Sequence, residues 1–234
     1  MAAAHDEIQA FFDGWKIYQT VIAEDYMNHR AIHAAVRELL AARSAPFTVL
    51  DLGCGDASQV ALSLQGLPVR RYTGVDLSPH ALALARQNVE AVGVADVDVI
   101  HNDLLRFIQH TALGGVDVIH SGFALHHLQR GEKAQALAAI ATLLQPDGQL
   151  ILYDIVHRPD ETRETYLDRY LATIDAEWDA LSRAERAKAR AHITTYDFPE
   201  TEATLLDQAA EAGLTHHVFY RDAVHIGVVF ARRR

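Results

Sequence analysis

Short β-branched or apolar runs alternate with Ala/Leu-rich stretches of helical period from Phe47 to Ile155, and no other feature of this sequence constrains its fold as strongly. Strands separated by helices need crossovers, crossovers make a parallel sheet, and a parallel sheet must be covered on both faces. The spacing predicts strands over 47–52, 71–75, 97–101, 116–121 and 149–155, with helices over 57–64, 79–91 and 132–144. Pro146-Asp147-Gly148 reads as the turn that stops the third helix and leads into the fifth strand. The expected fold class is therefore α/β.

Outside this core the pattern changes. Ile8, Phe11, Phe12, Trp15, Tyr18, Ile22 and Tyr26 repeat at helical spacing, as do Ile32, Val36, Leu39 and Leu40, so two helices precede the first strand. After Pro159, the residues Leu167, Tyr170, Leu171, Ile174, Trp178 and Leu181 mark a long amphipathic helix. Ser182-Arg183-Ala184-Glu185 is a capping box that opens another. A helical insertion is thus expected over 158–199, between the fifth and sixth strands. A last helix, 202–212, ends at Gly213, and the β-rich runs 215–220 and 224–230 lie too close for a crossover, which predicts an antiparallel hairpin. The expected organisation is an N-terminal helical lid or cap over 1–45 and one α/β domain over 46–234.

The 234 residues carry 21 Lys+Arg against 31 Asp+Glu, a formal charge of −10. Such a surface repels phosphate backbones, and Arg232-Arg233-Arg234 is too short to reverse this, so nucleic acid is not an expected partner. The opening residues lack a basic and apolar leader, and no apolar run approaches the roughly eighteen residues of a membrane span. Cys54 has no second cysteine to pair with. A reducing, cytoplasmic location is the expectation.

In an open parallel sheet, ligands collect beyond the carboxyl ends of the strands, usually at the first strand-to-helix turn. That turn is Asp51-Leu52-Gly53-Cys54-Gly55-Asp56, and the second strand ends at Asp76, where a carboxylate can accept the hydroxyls of a ribose. Glycines here let a ligand approach the backbone. A dinucleotide fingerprint asks for a third glycine where this chain has Ser58. Asp51 beside the turn would repel a pyrophosphate and favour the ammonium and sulfonium of S-adenosylmethionine.

At these residues the chain resembles the class I S-adenosylmethionine-dependent methyltransferases, in particular the small-molecule branch called methyltransferase type 12. The matching pieces are V-L-D-L-G-C-G, G-V-D-L-S, N-D-L, D-V-I-H-S-G-F-A-L-H-H-L and L-L-Q-P-D-G-Q-L-I-L, in that order from Phe47 to Ile155. The resemblance implies a Rossmann-like, seven-stranded, mostly parallel sheet of order 3-2-1-4-5-7-6 with strand 7 antiparallel. It implies that Asp51, Gly53, Cys54 and Gly55 hold the methionine end of the cofactor and that Asp76, with Leu77, holds the ribose. Asn102, Asp103 and Leu104 would meet the adenine, and Ser121 and Phe123 would border the sulfonium.

Transfer from a sulfonium is an in-line displacement that needs alignment more than covalent catalysis, although an acceptor amine or phenol must lose a proton. His126 and His127 follow the fourth strand and are the candidate base or orienting groups, their bland alternative being histidines that pack the loop. His126, His127, Asp154 and His157 also suggest a metal site. Asp154 stands largely alone as an acidic ligand, and no metal is expected. Tyr18, Tyr26, His29, Arg30, Tyr153 and His192 are candidate lid or substrate residues, although aromatics on these stripes would serve equally as core or as a dimer face.

The expected function is methyl transfer from S-adenosylmethionine to N, O or S of a small-molecule acceptor, leaving S-adenosylhomocysteine. The long apolar helix suits a homodimer. Two other classes remain open: a non-catalytic adenosylmethionine- or adenosylhomocysteine-binding regulatory protein, and a nucleotide-dependent oxidoreductase on the same sheet. Ser58 and Asp51 argue against the oxidoreductase.

Overall fold

The computed structural model describes residues 16–233. The expected helical positions Ile8, Phe11, Phe12 and Trp15 lie outside the described residues. Within them, α1 (Lys16–Ala23) buries Ile17 and Val21, one position away from the expected Tyr18 and Ile22. Tyr18 is thereby left at the helix edge, half-buried. The next helix, α2 (His29–Ala41), buries Ile32, Val36 and Leu40 as its spacing predicts, and adds His29 and His33 to the buried face.

The parallel core follows as β1 (Phe47–Leu52), α3 (Ser58–Leu64), β2 (Val69–Asp76), α4 (Pro79–Ala91), β3 (Val97–His101), α5 (Leu104–His110), β4 (Val116–Gly122), α6 (Arg130–Leu143) and β5 (Leu144–His157). Ser78 caps α4 by accepting the Ala81 N–H, with Pro79 fitting the first turn, where its missing N–H costs nothing. The short helix α5 is absent from the sequence expectation. It is seven residues long, and its cap is the Asp103 carboxylate accepting from the Arg106 N–H.

Strand β5 is longer than expected because Pro146-Asp147-Gly148 is absorbed as a bulge. Val116 pairs with Leu144, yet Val118 already pairs with Gln149. A Cβ on Gly148 would come within 2.6 Å of the Val116 carbonyl oxygen, so this bulge requires glycine.

The insertion consists of α7 (Arg163–Glu177) and α8 (Arg183–Tyr196). The expected Ser182/Glu185 box is present, with the Glu185 N–H donating to Ser182 Oγ and the Ser182 N–H to Glu185. The chain ends through β6 (Glu200–Thr201), α9 (Glu202–Glu211), β7 (Leu214–Arg221) and β8 (His225–Arg232). The sheet runs β3-β2-β1-β4-β5-β8-β7, and the two-residue β6 pairs with the end of β5. β8 is antiparallel to both neighbours, as the expected hairpin requires. This is the implied Rossmann-like order with one small strand added.

One apolar layer packs α5, α6 and α9 against the sheet, and a second packs α2, α3 and α4 against the other face. A third cluster joins Ile17 and Val21 of α1 to Tyr166, Tyr170, Ile174, Trp178 and Ile193 of the insertion. α1 and the insertion therefore pack on each other above the carboxyl ends of the strands. Among the described residues no helix is long and apolar enough to cross a membrane.

Candidate active site

Asp51 closes β1, aligned with Gly74 of β2 and His120 of β4. Its carboxylate is buried, with Oδ2 accepting from the Tyr72 hydroxyl at 2.7 Å and Oδ1 lying 2.6 Å from His120 Nδ1. Nearby, the Tyr153 hydroxyl meets His33 Nε2 at 2.8 Å, and His33 Nδ1 meets Ser63 Oγ at 3.0 Å. Burial pushes the His33 imidazole down to about 2 and that of His29 to about 4, so both are neutral.

These groups form the wall of a cleft that also takes in Tyr18, Gly53, Cys54, Asp56 and Phe123. Its lining includes Asp51 and Asp56 and neither lysine nor arginine. The negative field registers on the groups inside it. The Tyr18 phenol is raised by burial and then by Asp56, Asp76 and Asp51, and the Cys54 thiol by burial and then by Asp76 and Asp51.

A second cleft, about 600 Å³, opens on the other side of the glycine turn, between Gly53, Asp76, Leu77, Asn102, Asp103, Leu104 and Phe123. Asp76 ties the turn to the end of β2. Its Oδ2 accepts the Gly55 N–H and its Oδ1 the Ser78 N–H, each at 2.8 Å, while burial raises the carboxyl above its ordinary range. Gly53 has φ 70°, and a Cβ there would lie 2.5 Å from that of Ala124. The position thus needs glycine both for its backbone and for its space.

The third cleft, about 580 Å³, lies between α1 and the insertion and is lined by Ile17, Val21, Met27, Tyr170, Trp178 and Ile193 around a polar end. That end holds His126, His127, His192 and Asp197. His126 Nδ1 is 2.5 Å from Asp154 Oδ1, and the His126 N–H donates to Asp154 Oδ2 at 2.9 Å. Burial opposes protonation of His126, but Asp154 and Asp197 outweigh it and raise the imidazole. His127 is pushed well down by burial and by the neighbouring His126 and His192. Asp197 is raised to about 6 by burial, against the attraction of His126. Lys133, buried beneath, donates its ammonium to the carbonyls of Leu128 and Phe198.

Phe123 lines all three clefts. It adopts φ 50°, a left-handed conformation that costs a non-glycine residue energy, and its N–H donates to the Tyr153 carbonyl at 2.9 Å. Its ring meets Tyr153, His29 and His225 edge-on. A glycine turn, an acidic recess and an apolar chamber with imidazoles thus converge on one strained residue.

A sequence profile described as a methyltransferase domain matches residues 49–148. The carboxy-S-adenosyl-L-methionine synthase of Chromohalobacter salexigens is 30% identical over 172 residues, which are 71% of this chain and 61% of that protein. The trans-aconitate 2-methyltransferase of Shigella flexneri is 28% identical over 178 residues, 71% of this chain and 67% of that protein. The crystal structure of magnesium protoporphyrin IX methyltransferase from Synechocystis with bound SAH superposes with TM-score 0.67 at 15% identity, covering 98% of this chain and 99% of that one. Residues 49–148 match a methyltransferase domain, and the fold is the Rossmann-like one of the solved methyltransferase on which the chain superposes. The chain spans about three-fifths of the length of the synthase.

The described clefts fit S-adenosylmethionine. The turn keeps its shape against Ala124 only because Gly53 lacks a Cβ, and the acidic recess beside it suits an ammonium and a sulfonium and disfavours a phosphate bridge. Of the residues expected at the cofactor, Asp51, Gly53, Cys54 and Phe123 line the recess, and Asp76, Leu77, Asn102, Asp103 and Leu104 line the second cleft. Gly55 lies outside both linings and is held by Asp76. Ser121 departs from expectation: it is fully buried and donates to the Leu52 carbonyl at 3.2 Å, joining β4 to β1 within the sheet.

Of the expected lid residues, Tyr18, His29 and Tyr153 line the acidic recess, and Tyr18 also lines the apolar cleft with His192. Tyr26 and Arg30 line none of the three clefts. Tyr26 stacks on Trp178, donates to Asp179 and accepts the Ala180 N–H, while Arg30 bonds the Ala23 carbonyl. His157 bonds the adjacent Arg158 carbonyl and does not join His126 and His127. Asp197, from the end of the insertion, joins them instead. Sequence reasoning missed His33, Tyr72 and His120. The only signal was their position on faces that the apolar pattern makes internal.

Proposed function

We propose that the protein transfers the methyl group of S-adenosylmethionine to a nitrogen, oxygen or sulfur of a small acceptor bound in the apolar cleft. The observation that carries this reading is the junction at Phe123, where the groove beside the glycine turn and the cleft holding His126 and His127 share a wall. S-adenosylmethionine, when bound, supplies a methyl group on a good leaving group.

In this reading Asp76 and Leu77 hold the ribose, Asn102, Asp103 and Leu104 the adenine, and the Asp51–Gly55 turn the methionine end. Tyr170 and Trp178 pack the acceptor and exclude water, and Phe123 separates it from the cofactor until the two reacting atoms align. His126, held through Nδ1 by Asp154, presents Nε2 to the acceptor's proton. Among the described residues the cleft lining contains no lysine or arginine, which favours a neutral acceptor or an amine over a carboxylate.

The test is methyl transfer from isotopically labelled S-adenosylmethionine to a panel of small amines, phenols and thiols. Once an acceptor is found, His126→Ala should lower turnover about a hundredfold, the usual scale of general-base loss, and leave cofactor affinity unchanged. Equal turnover in variant and parent removes His126 from the chemistry. No transfer to any member of the panel, with S-adenosylmethionine bound normally, favours the regulatory-protein alternative.

A further inference from the structure

Among the described residues, His126, His127 and Asp197 bring three ligand atoms within 4.8 Å of one another at the inner end of the apolar cleft. We propose that this triad binds one divalent transition-metal ion. Among the described residues Asp197 Oδ1 is sealed from solvent and has no hydrogen-bond partner, and the residue is only 4% exposed. A desolvated carboxylate oxygen without a donor is costly, and a cation removes that cost.

The spacing fits an ion. Asp197 Oδ1 lies 3.7 Å from His126 Nε2, too far for a hydrogen bond. His127 Nδ1 lies 3.3 Å from the Tyr196 carbonyl, to which it donates, and that leaves Nε2 as the ligand atom of His127. Bonds of about 2.0–2.1 Å to a tetrahedral metal put neighbouring ligand atoms about 3.4 Å apart. Two imidazoles and one carboxylate suit zinc, ferrous iron and their neighbours better than magnesium or calcium, which prefer oxygen.

The surroundings agree. His126 has the carboxylate partner on its other nitrogen that metal-bound histidines characteristically carry, here Asp154 at 2.5 Å. Asp154, Glu200, Glu132 and Asp197 all act on the Lys133 ammonium, which lies 4.0 Å from Glu200, and the Arg163 guanidinium acts on Asp197 as well. The His192 ring, 5.4 Å from that of His127, stands on the same wall. The cleft leaves room for a further ligand on the open side.

Metal binding itself is independent of methyl transfer. The ion's role rests on the function proposed above: in the metal-loaded protein it holds the acceptor's oxygen, nitrogen or sulfur at the position His126 Nε2 faces and eases loss of the acceptor's proton to water, while proton uptake by the imidazole belongs to the metal-free protein.

The test uses the full chain, stripped with a chelator and titrated with cobalt(II) and, by calorimetry, with zinc. One equivalent should bind, with the intense visible bands of low-coordinate cobalt. Asp197→Ala and His127→Ala should each weaken binding at least tenfold, and His217→Ala, an exposed histidine, should leave it unchanged. If circular dichroism shows Asp197→Ala unfolded, Asp197→Asn takes its place. No stoichiometric binding by the parent, or equal affinity in the triad variants, overturns the site. S-adenosylmethionine calorimetry on the same samples separates the two proposals: lost metal binding beside intact cofactor binding sinks only the metal site. The reverse result sinks only the methyl-transfer reading.

Discussion

Both oxygens of Asp76 accept backbone N–H groups, one from the glycine turn and one from the start of α4, so a single carboxylate shapes the turn and faces the second cleft. Charge-assisted hydrogen bonds of this kind contribute about 1.5–3 kcal/mol. Asp76→Ala should therefore weaken S-adenosylmethionine roughly ten- to hundredfold by calorimetry while the far-ultraviolet spectrum is kept; unchanged affinity removes Asp76 from the cofactor site. His33 gives a prediction about pH. Its native imidazole resists protonation down to about 2, whereas in the unfolded chain it takes a proton at 6.5. Below 6.5 the unfolded state binds more protons, so stability falls with pH by up to about 1.4 kcal/mol per unit from this residue. Urea melts across pH 7 to 5 should show a shallower loss in His33→Gln, and an identical slope in the two proteins contradicts the assignment. The aspartates at strand ends were legible in the sequence because a strand end and its turn are local. His33, Tyr72 and His120 were not, because each gains its meaning from a partner 21 to 120 positions away.

At the scale of elements, strong periodicity was readable and weakly patterned or irregular structure was not. The spacing of α4 and the Ser182 box of α8 are carried by neighbouring residues, and both form as expected. The seven-residue α5 was not read, although the equally short α3 was, because its Leu104-Leu105-Arg106-Phe107-Ile108 run lacks the Ala/Leu-rich helical pattern; and Pro146-Asp147-Gly148 reads as a turn although β4 supplies enough partners to absorb it as a bulge. The insertion could be foreseen as helical, but not its packing on α1, since that contact joins segments about 150 residues apart in the chain. Ile174 is fully buried in that contact. Ile174→Ala should cost about 2–5 kcal/mol, the range for such cavities, and lower the thermal midpoint; a change below about 0.5 kcal/mol shows that the third cluster does not hold the insertion in place.

Across the whole molecule, three clefts from different parts of the chain meet at Phe123. The strand order and glycine turn that build two of them were legible through resemblance to a known family. Asp197, which completes the polar end of the third, lies in the Tyr196-Asp197-Phe198-Pro199-Glu200 segment that closes the insertion and in the sequence reads as a stretch able to reach back over the site, but nothing local pairs it with His126 and His127. A ligand that binds only the native state stabilises it by mass action, by about 2.7 kcal/mol at a hundredfold excess over its dissociation constant. S-adenosylmethionine should accordingly raise the melting temperature of the parent and much less that of Asp76→Ala; equal shifts would place binding elsewhere. The most direct measurement is a calorimetric titration of the full chain with S-adenosylmethionine, S-adenosylhomocysteine and NADH in parallel. One equivalent of each adenosyl ligand and no heat from the dinucleotide is the expected result. Tight binding of NADH, with none of either adenosyl ligand, contradicts the account at its root.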